Sequence, residues 1–158
     1  MNIIQFALSA LLIALSAFGC GGSKEIADKE TPRRPGIYFE PSDRLSPLLE
    51  RAAAENKLVF LDMYADWCAP CKVMDREVFT NKSLGEFFNK NFISYKVDTE
   101  DENGSTIAAV YGVQSLPTLI FVDANGTVLE RANSSISLSE LERMANRALA
   151  SQSLGAVD

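Results

Sequence analysis

Leu58-Val59-Phe60-Leu61-Asp62-Met63-Tyr64, followed after Ala65-Asp66 by Trp67-Cys68-Ala69-Pro70-Cys71-Lys72, is the stretch that decides the fold. The first seven residues are apolar except for one acid, Asp62, and are long enough for a single buried strand. The second block sets two cysteines two residues apart, with Pro70 where its missing N–H costs a starting helix little. A strand, a short turn and a Cys-x-x-Cys pair opening a helix suits reversible disulfide chemistry better than a metal knuckle. An acid in the middle of an apolar strand should have a raised pKa, so Asp62 is a candidate general base for a nearby thiol.

Position gives the two sulfurs different roles. Cys68, at the turn before the helix, faces unpaired backbone N–H groups and the positive end of the helix dipole, which favour a thiolate. It is the expected nucleophile and the expected more exposed sulfur. Cys71, one turn into the helix, is the expected resolving thiol that breaks the mixed disulfide.

Working outward, Ile37–Glu40 is a candidate first strand, and Ser46-Pro47 an N-cap and first helical residue for a helix to Asn56. Helices are expected over Pro70–Phe79, Ser83–Asn89 and Ser105–Tyr111, the last closed by Gly112. Strands are expected over Phe92–Asp98, Pro117–Asp123 and Thr127–Arg131, the last two joined by a tight Asp123-Ala124-Asn125-Gly126 turn. Ser137 to Glu140 reads as a capping box, followed by Leu138, Leu141, Met144 or Ala145, and Ala148 at helical spacing. Phe87, Phe88 and Phe92 read as core. This order implies an α/β fold with a mixed central sheet, part parallel with an antiparallel hairpin edge, and helices on both faces.

The chain has 158 residues, enough for one cored domain with tails. Its net charge of -6 offers no basic footprint for nucleic acid. The absence of histidine removes imidazole metal sites, Ser-His and Cys-His catalysis and c-type haem attachment. Ile3 to Phe18 is apolar but shorter than the roughly 20 residues of a membrane span, and it ends in small residues before Cys20. It reads as an export signal. Gly19-Cys20 resembles a bacterial lipoprotein cleavage site, which makes Cys20 the candidate lipidation site. The expected organisation is a signal peptide over 1–19, a lipid-anchored flexible tether over 20–35, a folded domain over 36–150 and a disordered tail over 151–158. The expected location is the bacterial cell envelope, held to a membrane by the lipid and facing the periplasm or exterior.

Asp62, the W-C-A-P-C-K block, Tyr111-Gly112-Val113, Leu116-Pro117-Thr118 and the Asn125-Gly126 hairpin together resemble the thioredoxin-like superfamily over about Lys57 to Leu149. Within it, Leu61 to Cys68 and Glu77 to Asn81 look most like the C-terminal periplasmic domain of transmembrane thiol:disulfide interchange reductases and their free-standing relatives. The resemblance implies a thioredoxin-like fold and catalysis by Cys68, Cys71 and Asp62. It implies a cis Leu116-Pro117 bond, and substrate contacts from Trp67, Ala69, Pro70, Leu116 and Pro117. It implies no cofactor and no metal, and a monomer whose partners are disulfide-containing client proteins and a membrane thiol:disulfide reductase that donates electrons. Ala69-Pro70 lacks the histidine with which strong oxidants of this superfamily hold their thiolate, so reduction of protein disulfides is the expected direction. A disulfide oxidase or isomerase of the same fold is the alternative. A copper-binding delivery module is a third reading, with a thin ligand set.

Overall fold

The structure is a computed structural model that describes residues 35–155. The expected signal, the lipidation site Cys20 and nearly all of the tether lie outside the described residues. The elements are α1 (Ser46–Glu55), β1 (Leu58–Tyr64), α2 (Ala69–Glu77), α3 (Lys82–Asn91), β2 (Phe92–Asp98), α4 (Glu102–Val110), β3 (Thr118–Val122), β4 (Val128–Ala132) and α5 (Leu138–Gly155). The strands form one sheet in the order β2-β1-β3-β4. β1 runs parallel to β2 and antiparallel to β3, and β3 pairs antiparallel with β4. The mixed sheet is thus as the sequence predicts, with Leu58–Tyr64 at its centre.

Side chains of a strand alternate between faces, and β1 is buried on both. Leu58 and Phe60 pack with Met74 of α2, Phe88 of α3 and Leu141 and Ala145 of α5. Val59, Leu61 and Met63 pack with Leu48 and Ala52 of α1 and Ile107 of α4. Asp62 shares its alternation with Leu58 and Phe60, so it points to the face that α2 covers. The Phe60 ring lies 4.9 Å from that of Phe121 and 5.1 Å from that of Phe88, and all three are fully buried. Truncating Phe60 to Ala would cost about 3–5 kcal/mol in lost transfer energy and an unfilled cavity. Phe87, Phe88 and Phe92 belong to this cluster, as expected.

Several elements depart from the sequence reading, each for a local reason. Ile37–Glu40 forms a single bridge, Phe39 to Ser94, and not a strand; Pro41 directly after it has no N–H to extend the ladder. α1 is capped by Leu45 rather than Ser46, because the Leu45 carbonyl already accepts from Leu48 and Leu49. α4 starts at Glu102, earlier than Ser105, despite the weak helix former Gly104. A Cβ at Gly104 would lie 1.7 Å from the Asp98 carbonyl oxygen, so only glycine allows that approach to β2. In the β3–β4 turn Gly126 alone takes positive φ (82°); Asp123 organises the rest by accepting from the Asn125 and Thr127 N–H groups. α5 runs on to Gly155, which corrects the expected disorder from Ser151: in this last stretch the Ser151 and Ser153 hydroxyls donate back to the Arg147 and Ala150 carbonyls. Both Met144 and Ala145 are buried along it.

Candidate active site

Cys68 is the N-cap of α2, in extended backbone geometry, and its sulfur accepts from the Cys71 N–H at 3.2 Å. That bond satisfies one of the four N–H groups that every helix start leaves without a partner in the helix. Cys68 and Cys71 are joined in a disulfide, with Cα atoms 5.3 Å apart. Each is 2% exposed, so the expectation that Cys68 is the more open sulfur does not hold in this oxidised state. The tight ring turns both residues inward. What separates them is the hydrogen bond and the helix end, which act on Cys68 alone and favour its thiolate. Ala69 and Pro70 are exposed beside the pair.

Beneath α2 lies a charged cluster in an apolar wall. Asp62 is 1% exposed. The Lys96 ammonium, from β2, donates to Asp62 Oδ2 at 2.7 Å and to Asp75 Oδ1 at 2.5 Å. β1/β2 register places Lys96 directly opposite Asp62. Asp75 follows Cys71 by four residues, one helical turn further along the same face of α2. Lys96 therefore bridges the buried acid of the sheet to a half-buried acid of the catalytic helix. Its Nζ also sits 4.7 Å from the Tyr64 ring centroid, 5.2 Å from Phe39 and 5.4 Å from Phe79, so aromatic faces solvate the charge from other sides.

Burial pushes the Asp62 carboxyl above the usual carboxylate range; attraction to Lys96 opposes this in part, and the Asp75 charge adds to it. Burial alone would lower Lys96, but the Asp62 charge and the hydrogen bonds to Asp62 and Asp75 outweigh it and hold the ammonium above its ordinary value. Asp62 Oδ1 has no hydrogen-bond partner among the described residues. Sequence reasoning found Asp62 but missed Lys96 and Asp75. The available signals were a lone charge inside the otherwise uncharged Phe92–Val97 run, and an acid one turn after Cys71.

Trp67, next to Cys68 in the chain, borders a cleft of ≈ 440 Å³ that is also lined by Thr99, Ala108, Val113, Ser115 and Leu116 among others. Trp67 is 68% exposed, which suits a lip and not a core residue, and its indole N–H donates to Glu100 at 2.9 Å. The Leu116-Pro117 bond is cis, as the resemblance implies. Pro117 is buried and Leu116 half-buried. None of the described residues hydrogen-bonds the Leu116 backbone. Trp67, Ala69 and Pro70 thus expose surface next to the cysteines, Leu116 shares the cleft with Trp67, and Asp62 is buried under the face that α2 covers.

A family model described as a thioredoxin-like domain matches residues 45–149. Thiol:disulfide interchange protein DsbD of Yersinia pestis is 32% identical over 99 residues, covering 61% of this chain and 16% of that protein. Thioredoxin of Borreliella burgdorferi is 39% identical over 71 residues, covering 45% of this chain and 56% of that protein. The chain thus spans less than two thirds of the length of these relatives. Among solved structures, a proposed disulphide-isomerase from Bacteroides thetaiotaomicron superposes with a TM-score of 0.65 at 32% identity, covering 74% of this chain and 96% of that one. With the family match extending over more than half of its length, the chain belongs to the thioredoxin-like domain family.

Proposed function

We propose that this protein is an exported thiol:disulfide oxidoreductase that reduces protein disulfides and is held to a membrane through Cys20. The observation that carries the redox part is the Cys68–Cys71 disulfide at the start of α2, with exposed Trp67 next to it in the chain and buried Asp62 on the strand that leads into it. In the reduced protein the Cys68 thiolate attacks a client disulfide, forming a mixed disulfide and releasing one client thiolate. Cys71 then attacks the Cys68 sulfur, the second client thiol leaves, and the Cys68–Cys71 bond re-forms. One electron pair passes from the protein to the client. Asp62 takes the Cys71 proton, directly or through a water, as that thiol attacks. Oδ1 is the oxygen with room to accept it, because Oδ2 is engaged by Lys96.

An extended client segment would pair with the Leu116 backbone and lie along the Trp67 lip. Ala69-Pro70 offers the Cys68 thiolate no cationic side chain, which favours the disulfide form and hence a reducing couple. A membrane thiol:disulfide reductase would return the protein to its dithiol state. The export reading rests on the apolar segment ahead of Cys20, and the anchor on its likeness to a lipoprotein site. Measuring the reduction potential of the pair tests the direction. A value nearer the roughly -270 mV of thioredoxin is expected, and one near the roughly -120 mV of strong oxidants would reverse the assignment to oxidase.

A further inference from the structure

We infer that Arg131 is a positioning residue for client recognition: its guanidinium fixes the loop that carries Leu116 into the cleft it shares with Trp67, the neighbour of Cys68. The inference rests on the oxidoreductase reading above. Arg131 sits on the edge strand β4, opposite Ile120 of β3. Nη1 donates to the Tyr111 carbonyl at 2.5 Å, Nη2 to the Gly112 carbonyl at 3.1 Å, and Nε to Asn133 Oδ1 at 2.6 Å. Among the described residues it pairs with no carboxylate. Both terminal nitrogens of the planar fork are therefore spent on one place in the chain, the point where α4 ends and the 113–117 loop begins, while Nε is steadied by Asn133.

That point is a sharp one. Tyr111 is the C-cap of α4, and Gly112 has φ +61°. The Gly112 and Val113 N–H groups close back on the Ala109 and Ala108 carbonyls, which leaves the Tyr111 and Gly112 carbonyls pointing outward for the guanidinium. A second tie comes from the same segment after β4. Ser115 Oγ donates to the Asn133 carbonyl at 2.9 Å, and Thr118 Oγ1 donates to the Ser115 carbonyl at 2.7 Å. Between α4 and β3 the loop thus hangs on side chains rather than on sheet pairing. Its useful feature, the unpaired Leu116 backbone, recognises an extended client only if it is held in place beforehand; otherwise the client must supply the ordering cost.

The consequence is selective. A peptide disulfide engages the Leu116 backbone, whereas a small disulfide needs only the sulfurs. The test compares second-order rates of the reduced full chain with a disulfide-bonded peptide and with 5,5′-dithiobis(2-nitrobenzoate). Arg131→Met should slow the peptide reaction about tenfold, some 1.4 kcal/mol, and leave the small-disulfide rate within about twofold. Arg131→Lys keeps a positive charge near the C-terminal end of α4 but loses the fork, so the peptide rate should stay at least about fivefold low. Asn133→Ala, which unseats only the guanidinium, should give a smaller loss of the same selectivity, about threefold, and it decides the matter if Arg131→Met does not fold. Parallel loss on both substrates, an unchanged peptide rate in a folded variant, or full rescue by lysine would overturn the inference. A wild-type chain inert towards both disulfides would instead overturn the oxidoreductase reading and take this inference with it.

Discussion

Replacing Lys96 by Met removes the ammonium that holds Asp62, while an unbranched apolar stem still packs near Phe39, Tyr64 and Phe79. Asp62 is then buried with Oδ1 unpartnered and Oδ2 deprived of its lysine. At 2.7 Å and an effective dielectric of about 20, the pair attraction is on the order of 6 kcal/mol. Less than this appears as lost stability, because the carboxyl can take up a proton instead of staying charged. Burial already raises the folded-state pKa of Asp62, and losing Lys96 raises it further. A raised acid contributes stability that is fully present below its unfolded pKa, about 3.9, and lost as pH rises through the folded value. The gap between wild type and Lys96→Met should therefore widen with pH. Its limiting slope is about 1.4 kcal/mol per unit, the effect of one proton, and its plateau about 3–5 kcal/mol, the usual cost of breaking a buried pair. Urea unfolding of the oxidised protein at pH 5, 6.5 and 8 reads this directly. Parallel stability curves for the two proteins would refute the claim that Lys96 is what makes a charged Asp62 tolerable.

Other expectations follow from the same geometry. Asp62→Asn should slow resolution of the mixed disulfide about a hundredfold near neutral pH and hardly touch its formation, as followed by rapid acid quench; equal rates for both steps would leave Asp62 a structural acid. Glu100→Ala frees the indole of Trp67, the single tryptophan of the chain, so fluorescence anisotropy should show faster side-chain motion, and peptide-disulfide exchange should weaken two- to fivefold, as one hydrogen bond implies. Gly104→Ala should cost at least about 2 kcal/mol by thermal unfolding, since its Cβ meets a backbone oxygen that cannot move aside. Cys20→Ser should release the domain from the membrane fraction, or leave it there with its N-terminal segment uncleaved, with unchanged disulfide exchange in vitro; a wild-type chain already soluble with an N-terminus other than Cys20 would refute the lipid anchor.

The centre of the molecule was legible because its signals are local. An apolar run with one acid and a Cys-x-x-Cys at a helix start each announce their own geometry within a few residues, whereas the cis Leu116-Pro117 bond was legible only through the family resemblance. The sheet order and the antiparallel pairing of β1 with β3 were not written locally, since they depend on which edges meet after the helices pack. The same reason hid Lys96. Alone it reads as a snorkelling cation in a strand, and it becomes a partner of Asp62 only through the β1/β2 register. Arg131 was hidden further still, because its partners are backbone carbonyls, which carry no residue identity for a sequence pattern to catch. Gly104 is a weak helix former by propensity, and its reason, a close approach to Asp98, is revealed only by the folded chain.

The central claim is that Cys68 attacks and Cys71 resolves. Reacting the Cys71→Ala and Cys68→Ala variants with a peptide disulfide, and mapping the products by mass spectrometry, tests it most directly. A stable mixed disulfide on Cys68 is expected in the first variant at neutral pH, and little or none on Cys71 in the second. Faster or more abundant adduct at Cys71 would contradict it, and with it the role assigned to the start of α2.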